Sequence, residues 1–245
     1  MATEILPYRV ASVYGEQASL TSAALVVPAP AGRDGEPCRG ALIKSTADFR
    51  FQIVPRLEQF LKTTDIGVTY TDYSDNVRDR DAATVATLSS LGTFANGDWV
   101  LVGAKKPFGG IAITMTAAVN GTASVLTGMY HNGTAWADIT ATDGTANSGA
   151  TFGQTGQITW TTPAAWAKNT IKGMELFWVL LKVSAALDST TTVATATLLG
   201  KDSNRGYGYA STLYSIPLGP YDNAIEALTA STATLDITWM FGGVI

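Results

Sequence analysis

Four dipeptides restrict this chain more than any other feature. Asn96-Gly97, Asn120-Gly121, Asn132-Gly133 and Asp143-Gly144 all fall between residues 96 and 144, each between strand-like segments. A type I′ turn holds both central residues at positive φ, a region that glycine enters freely, that Asn and Asp tolerate and that larger side chains resist. Repeated at this spacing, such pairs predict antiparallel sheet closed by tight hairpins. The clearest case runs from Val125 to His131, turns at Asn132-Gly133 and returns from Thr134 to Ile139.

The segments around these turns carry the period of strands. Phe49, Phe51 and Ile53 alternate with Arg50 and Gln52; Ile66, Val68 and Tyr70 share a face; Asp98–Gly103 and Ile111–Thr116 follow. Thr122–His131 is expected to run back from the Asn120-Gly121 turn. Gln157–Thr162 places Ile158 and Trp160 inward, and Thr190–Leu199 is rich in β-branched residues. Phe177–Val183 is apolar on both faces near its start, as in a strand covered on both sides. Leu235, Ile237, Trp239 and Phe241 alternate with polar or flexible neighbours in a last strand. Gly144–Gly156 reads as a loop and residues 204–209 as a turn with exposed aromatics. Three segments point to helix instead: Leu57, Phe60 and Leu61 as a short turn, Pro163–Lys168 as one turn begun by proline, and Asp222–Leu228 as a short helix capped by Asp222. Val85–Leu91 fits either a short strand or a helix.

Residues 1–47 keep no period, because four prolines (Pro7, Pro28, Pro30, Pro37) and Gly15, Gly32, Gly35 and Gly40 interrupt every candidate element. They read as an extended arm with one short strand at Ala24–Val27. The expected fold is all-β: an antiparallel jelly-roll-like β-sandwich over 48–200, with an extended N-terminal arm over 1–47 and a C-terminal extension with a final strand over 201–245.

The 245 residues are 46% hydrophobic but only 15% charged, against roughly 25% in ordinary soluble domains. Such a surface suits a chain that spends its life against partners. The net charge of −4 comes without any basic stripe, so nucleic acid is a poor fit as a partner. The apolar run Leu176–Leu181 stops at Lys182, far short of a membrane span. The single cysteine, Cys38, excludes an intrachain disulfide and reads as a structural thiol.

No catalytic constellation emerges. His131 is the only histidine and flanks a turn, whereas Ser-His-Asp hydrolysis and His-rich zinc sites need an imidazole among set partners. Asp72, Asp75, Asp79 and Asp81 raise calcium, but Arg78 and Arg80 lie among them and EF-hand spacing is missing, so a self-neutralised loop is expected. No cofactor or metal is expected. Trp99, Trp160, Trp178 and Trp239 fall within alternating strands and read as core. Trp136 and Trp166 are the tryptophans expected at the surface, and with Tyr207 and Tyr209 they form the candidate glycan-stacking set.

One resemblance adds to this. Tyr70-Thr-Asp-Tyr-Ser-Asp75, Asp98-Trp-Val-Leu-Val-Gly103 running on to Ile113, Met129-Tyr-His-Asn-Gly-Thr-Ala-Trp136, Asp143-Gly-Thr145, Gly156-Gln-Ile-Thr-Trp160 running on to Lys168, and Phe177-Trp-Val-Leu-Leu-Lys-Val183 follow in this order. The succession resembles a module recurrent in tailed-bacteriophage virion proteins, where YWNGSAW is followed by DGT, GTVTWTVPGDW and YWVRxRVSA. It covers roughly residues 66–199. The sequence departs from the pattern at Met129-Tyr-His131 and at Leu180-Leu-Lys182. The resemblance implies a non-enzymatic virion protein made in the host cytoplasm, with other virion proteins, chiefly the major capsid protein, and further copies of itself as partners. The expected role is a capsid decoration or cement protein; the alternative is a tail or fibre component that binds a host glycan.

Overall fold

The protein is seen in a computed structural model that describes residues 12–30, 38–65, 68–79, 81, 83–89, 91–92, 97–201, 205–219 and 222–242. It is all-β: four sheets, mostly antiparallel, and a single five-residue helix among the described residues. No helix there is long and apolar enough to cross a membrane. Two compact units divide the chain, one made of Met1–Ile53 with Asn204–Ile245 and the other of Val54–Ser203.

In the first unit the N-terminal part supplies β1 (Ser12–Leu20), β2 (Leu25–Pro28), β3 (Cys38–Ser45) and β4 (Phe49–Pro55). The C-terminal part supplies β17 (Gly206–Gly208), β18 (Tyr214–Pro217), β19 (Asp222–Leu228) and β20 (Ala233–Phe241), the strands numbered between them belonging to the second unit. They form two four-stranded sheets, ordered β1-β20-β3-β18 and β17-β4-β19-β2. β20 is the organising strand. Ala233, Leu235, Ile237, Trp239 and Phe241 are buried and the residues between them half-buried, the alternation expected from the sequence. Its register with β1 is unbroken from Ser12↔Phe241 to Leu20↔Ala233. Both sheets feed one core that includes Leu20, Ile43, Phe49, Ile225, Leu235 and Trp239. Each such side chain removed from water contributes about 1.5–3 kcal/mol. The Trp239 indole N–H donates to Glu16 Oε1 at 2.5 Å, so the largest core ring carries no unsatisfied donor.

Three expectations fail here, each because a partner distant in sequence supplies what the local pattern lacks. Residues 12–30 and 38–45 carry three paired strands rather than an extended arm with one short strand; residues 1–11 and 31–37 lie outside the described residues, and 46–47 lead into β4. Asp222–Leu228 is strand β19, with Ile225 and Ala227 in the core and Glu226 pointing the other way. Ala, Glu and Leu favour helix, but β2 and β4 flank this segment on both edges and satisfy its backbone groups. Residues 206–208 pair with β4 instead of forming a turn. Gly208 permits this approach, since a Cβ there would run into the Phe49 ring.

The second unit holds β5 (Gln59–Asp65), β6 (Thr69–Asp72), α1 (Ser74–Arg78), β7 (Ala86–Thr87), β8 (Trp99–Ala104), β9 (Gly110–Met115) and β10 (Leu126–His131). It continues with β11 (Trp136–Asp138), β12 (Thr142–Asp143), β13 (Gly156–Thr159), β14 (Asn169–Ile171), β15 (Met174–Val183) and β16 (Thr192–Leu199). One sheet runs β11-β10-β15-β8-β5-β6 with β14 added on β15, and the other runs β12-β13-β9-β16-β7. β15, apolar on both faces as expected, is interior and buried on both sides from Trp178 to Leu181. Phe60 and Leu61, expected in a helical turn, are adjacent buried residues of β5, which must bury both faces too. Residues 163–166 make a single hydrogen-bonded turn, the Trp166 N–H donating to Pro163 O at 3.3 Å. The strand expected from Ile66 is found at Thr69–Asp72; Ile66 and Gly67 lie outside the described residues.

The four dipeptides do different things. At Asn132-Gly133 a hairpin joins β10 to β11, closing at His131↔Trp136, but over a four-residue loop in which only Gly133 has positive φ (101°). There Asn132 Oδ1 accepts from the Thr134 and Ala135 N–H groups. Two-residue turns with both φ positive are found instead at Lys172 (51°) and Gly173 (75°), between β14 and β15, and at Ser148 (51°) and Gly149 (85°), between the bridged Asn147 and Ala150. Asn120-Gly121 closes no hairpin, because β9 and β10 belong to different sheets. Its Asn120 side chain is buried instead: Nδ2 donates to Thr122 O, Ser124 Oγ and Thr151 O, while Oδ1 accepts from the Thr122 and Asp188 N–H groups. Gly144 lies against β13, where its N–H donates to Gln157 O. Asn96 lies outside the described residues, while Gly97 has φ 72°.

Candidate functional site

The seven-stranded sheet of the second unit buries apolar residues on both faces. On one, Leu61, Leu101, Leu176 and Trp178 form a cluster flanked by half-buried Tyr70, Trp99, Trp136, Ile171 and Met174. Register explains the gathering: Leu61 lies opposite Leu101, Leu101 opposite Leu180, and Gly103 opposite Trp178. Gly103 leaves room for the indole, since a Cβ there would come within 2.8 Å of the Trp178 ring. The Trp178 indole N–H donates to Asn169 O at 2.9 Å, fixing the ring beneath β14.

Beside this cluster lies an open cleft of about 620 Å³, lined by Val68, Thr69 and Tyr70 on the β6 side and by Thr170, Ile171 and Lys172 on the β14 side. Lys172 Nζ stands over the Tyr70 ring at 6.0 Å from its centre. Burial, helped by the Asp65 charge, raises the Tyr70 pKa and keeps its phenol protonated. Val68 is 80% exposed at the rim. The arrangement offers an aromatic surface, a cation and several hydroxyls to a ligand in a cavity of ordinary binding-site size, about 300–1,000 Å³.

The sequence-nominated residues divide between the two units. Trp136 is half-buried on the aromatic face, with His131 edge-on to it at 5.6 Å. Trp166 is buried, contrary to expectation: its indole N–H donates to Trp178 O, and it packs among Phe108, Tyr130, Trp160 and Phe177 between the two sheets of its unit. Nothing in Pro163–Lys168 signals this, because the rings that enclose Trp166 come from four other segments. Trp160, Trp178 and Trp239 are core as expected and Trp99 is half-buried. In the first unit Tyr207 and Tyr209 are 51% and 62% exposed and meet edge-to-face at 5.0 Å. The Tyr207 hydroxyl donates to Asp48 Oδ2 at 2.6 Å, and the Ala210 N–H donates to Asp48 Oδ1. These two bonds lower the Asp48 pKa, and the first raises that of Tyr207. Sequence reasoning missed Tyr70, Ile171 and Lys172 as site residues, because only the sheet order β14-β15-β8-β5-β6 brings residue 172 near residue 70.

The remaining polar groups have local work. Asp72 accepts from the Ser74 N–H and hydroxyl, Asp75 pairs with Arg78, and Asp79 accepts from the Asp81 N–H and the Thr84 hydroxyl. Asp81 accepts from the Ala83 N–H, so the acidic segment is held together by its own turns. Among the described residues no three His, Cys, Asp or Glu side chains are grouped to hold a metal ion. The His131 Nδ1 accepts from the Gly133 N–H. Cys38 is half-buried, its thiol donating to Gly40 O, and burial raises its pKa. Glu226, 1% exposed, accepts from Arg205 Nε at 2.8 Å and from the Gln52 amide at 3.0 Å.

No family model matches the chain, and no curated protein matches it in sequence. Among solved structures, the arabinofuranosyltransferase AftD from Mycobacteria is similar at 9% identity and a TM-score of 0.32; the match covers 93% of this chain and 20% of that enzyme. The mavirus penton protein is similar at 7% identity and a TM-score of 0.15, covering 95% of this chain and 100% of that one. At these scores neither likeness bears on fold or function.

Proposed function

We propose that this chain is a non-enzymatic structural protein of a tailed-phage virion, serving as a capsid decoration or cement protein that stabilises the head shell through subunit contacts. One observation carries the reading. In the first unit the first strand pairs with the eighth (β1·β20), the second with the seventh (β2·β19), the third with the sixth (β3·β18) and the fourth with the fifth (β4·β17). We read this pairing, divided between two sheets, as that of a jelly roll, an architecture common in viral capsid and lectin domains. On this reading residues 12–53 and 205–242 are the body of the roll, and residues 54–203, which carry the resemblance to phage virion modules, enter between its fourth and fifth strands.

The mechanism is burial across capsomer junctions. A contact of ordinary size removes about 1,600 Å² of surface from water, and expansion or internal pressure must break many such contacts at once. A surface with few charges, carrying Tyr14, Tyr207, Tyr209 and Leu213 about half or more exposed, suits contact with the major capsid protein and with further copies of the chain. The test is to add purified protein to capsids stripped of it. Saturable binding on the head lattice and a higher rupture temperature are expected; a label confined to the tail overturns the cement role. Deleting residues 1–47 is not a clean test, since it removes three strands of the roll.

The exposed Tyr207–Tyr209 pair favours a second reading, a tail or fibre component that binds a host glycan. A glycan-array signal lost on Tyr209→Ala, together with a tail location, would select it.

A further inference from the structure

We infer that the cleft between β6 and β14 is a binding site for an acidic saccharide, a pyranose bearing a carboxylate, wherever on a particle the protein sits. The walls are three consecutive residues from each of two short strands and their ends, Val68-Thr-Tyr70 and Thr170-Ile-Lys172. β6 pairs only with β5, and β14 only with β15, among the described residues. The chemistry of the walls is specific. The hydroxyls of Thr69, Tyr70 and Thr170 have no hydrogen-bond partner among the described residues, and no carboxylate there pairs with Lys172. Three uncommitted hydroxyls match a hydroxyl-rich ligand. The Tyr70 ring with the Val68 and Ile171 side chains supplies the apolar surface that sugar C–H faces pack against.

The cation of the cleft selects for charge. Lys172 sits in a turn that most side chains avoid, φ 51°, followed by Gly173 at 75°. That turn aims the side chain back across the cleft, so that its ammonium rests on the face of Tyr70 in place of a ligand. A ring entering the cleft takes over the aromatic surface, and the displaced ammonium turns to the ligand carboxylate. A single ammonium with no guanidinium fork beside it supplies one point charge, matched by one carboxylate. Asp65, which pairs opposite Thr69 on β5 and whose charge Tyr70 feels, disfavours a second anionic group on the β6 side.

The experiment titrates the full chain with a tetrauronate and with a neutral tetraglucoside, read by calorimetry and by amide shifts of residues 68–70 and 170–172. Lys172→Asn removes the charge while keeping a residue that tolerates positive φ, so the variant folds with the turn intact. The tetrauronate is expected to shift these amides, to bind at least about tenfold more tightly than the neutral sugar, and to lose about tenfold in affinity in Lys172→Asn. Tyr70→Ala is expected to abolish binding, with Tyr70→Phe as the folded control that keeps most of it. Equal binding of the two sugars, or an affinity unchanged in Lys172→Asn, overturns the proposal. Tighter binding of an acidic peptide than of the tetrauronate also overturns it, and assigns the cleft to a protein carboxylate.

Discussion

Replacing Asn120 with Asp exchanges an amide donor for a second oxygen, and the structure says what that costs. Asn120 is 2% exposed. Its Nδ2 donates to Thr122 O at 2.9 Å, Thr151 O at 2.9 Å and Ser124 Oγ at 3.1 Å. The carboxylate keeps the acceptor that receives the Thr122 and Asp188 N–H groups, but it sets a second acceptor opposite two carbonyl oxygens. The Ser124 hydroxyl can rotate to donate; the carbonyls cannot adapt. Two buried groups that each lose a partner cost about 1–3 kcal/mol apiece, so Asn120→Asp should destabilise the second unit by about 3–5 kcal/mol at neutral pH. Acid should shrink that cost, because the introduced carboxyl, once protonated, can donate to one carbonyl. Asn132→Asp is the control: that side chain is exposed, and its Oδ1 works as the acceptor in the bonds it makes to Thr134 and Ala135, so the change should stay within about 0.5 kcal/mol. Urea unfolding followed by tryptophan fluorescence reads the right unit, because Trp99, Trp136, Trp160, Trp166 and Trp178 belong to it and only Trp239 to the other. Equal losses at the two Asn-Gly sites, or a loss below about 1 kcal/mol at Asn120, would refute the reasoning.

Three further outcomes follow from the packing and charges. Gly103→Ala should cost about 1–3 kcal/mol by forcing the Trp178 ring and Leu176 aside, visible as a lower urea midpoint and a changed near-ultraviolet dichroism. Glu226→Ala should cost about 3–5 kcal/mol by stranding Arg205, and the double variant with Arg205→Ala should cost less than the sum of the singles in a double-mutant cycle. Asp188 receives the Thr122 hydroxyl and the Gly121 N–H, which hold its pKa below the ordinary 3.8. A depressed carboxylate pKa contributes stability that is present above the unfolded value and lost as pH falls through the folded one. Asp188→Asn should therefore lower Tm at neutral pH, by a margin that narrows as the pH falls below about 4; a margin independent of pH across that range would argue against the assignment.

The candidate site was only partly legible. Trp136 and Trp166 stand out because the other four tryptophans fall within alternating strands; Trp136 does lie half-buried on the aromatic face, whereas Trp166 is core, since exposure depends on which distant rings arrive. Tyr70 and Lys172, about a hundred residues apart in the chain, could not be joined by any local rule. The turn that aims Lys172 begins with a residue that gives no turn signal.

What the sequence determined by itself is the element type wherever burial is one-sided and periodic. β20 was readable from Leu235 to Phe241 because a half-buried strand imposes period two on its own side chains, and β9 followed the same rule. Which strands pair was decided only by tertiary structure. Asn120-Gly121 has the composition of a hairpin and becomes a buried knot of hydrogen bonds; Asp222–Leu228 has the composition of a helix and becomes a strand between two others; residues 12–20, 25–28 and 38–45 lack a pattern and become strands by pairing with β19 and β20. Local preferences amount to about 1 kcal/mol per residue or less. Backbone pairing and core burial with segments from the far end of the chain outweigh them, and no window of the sequence contains both partners.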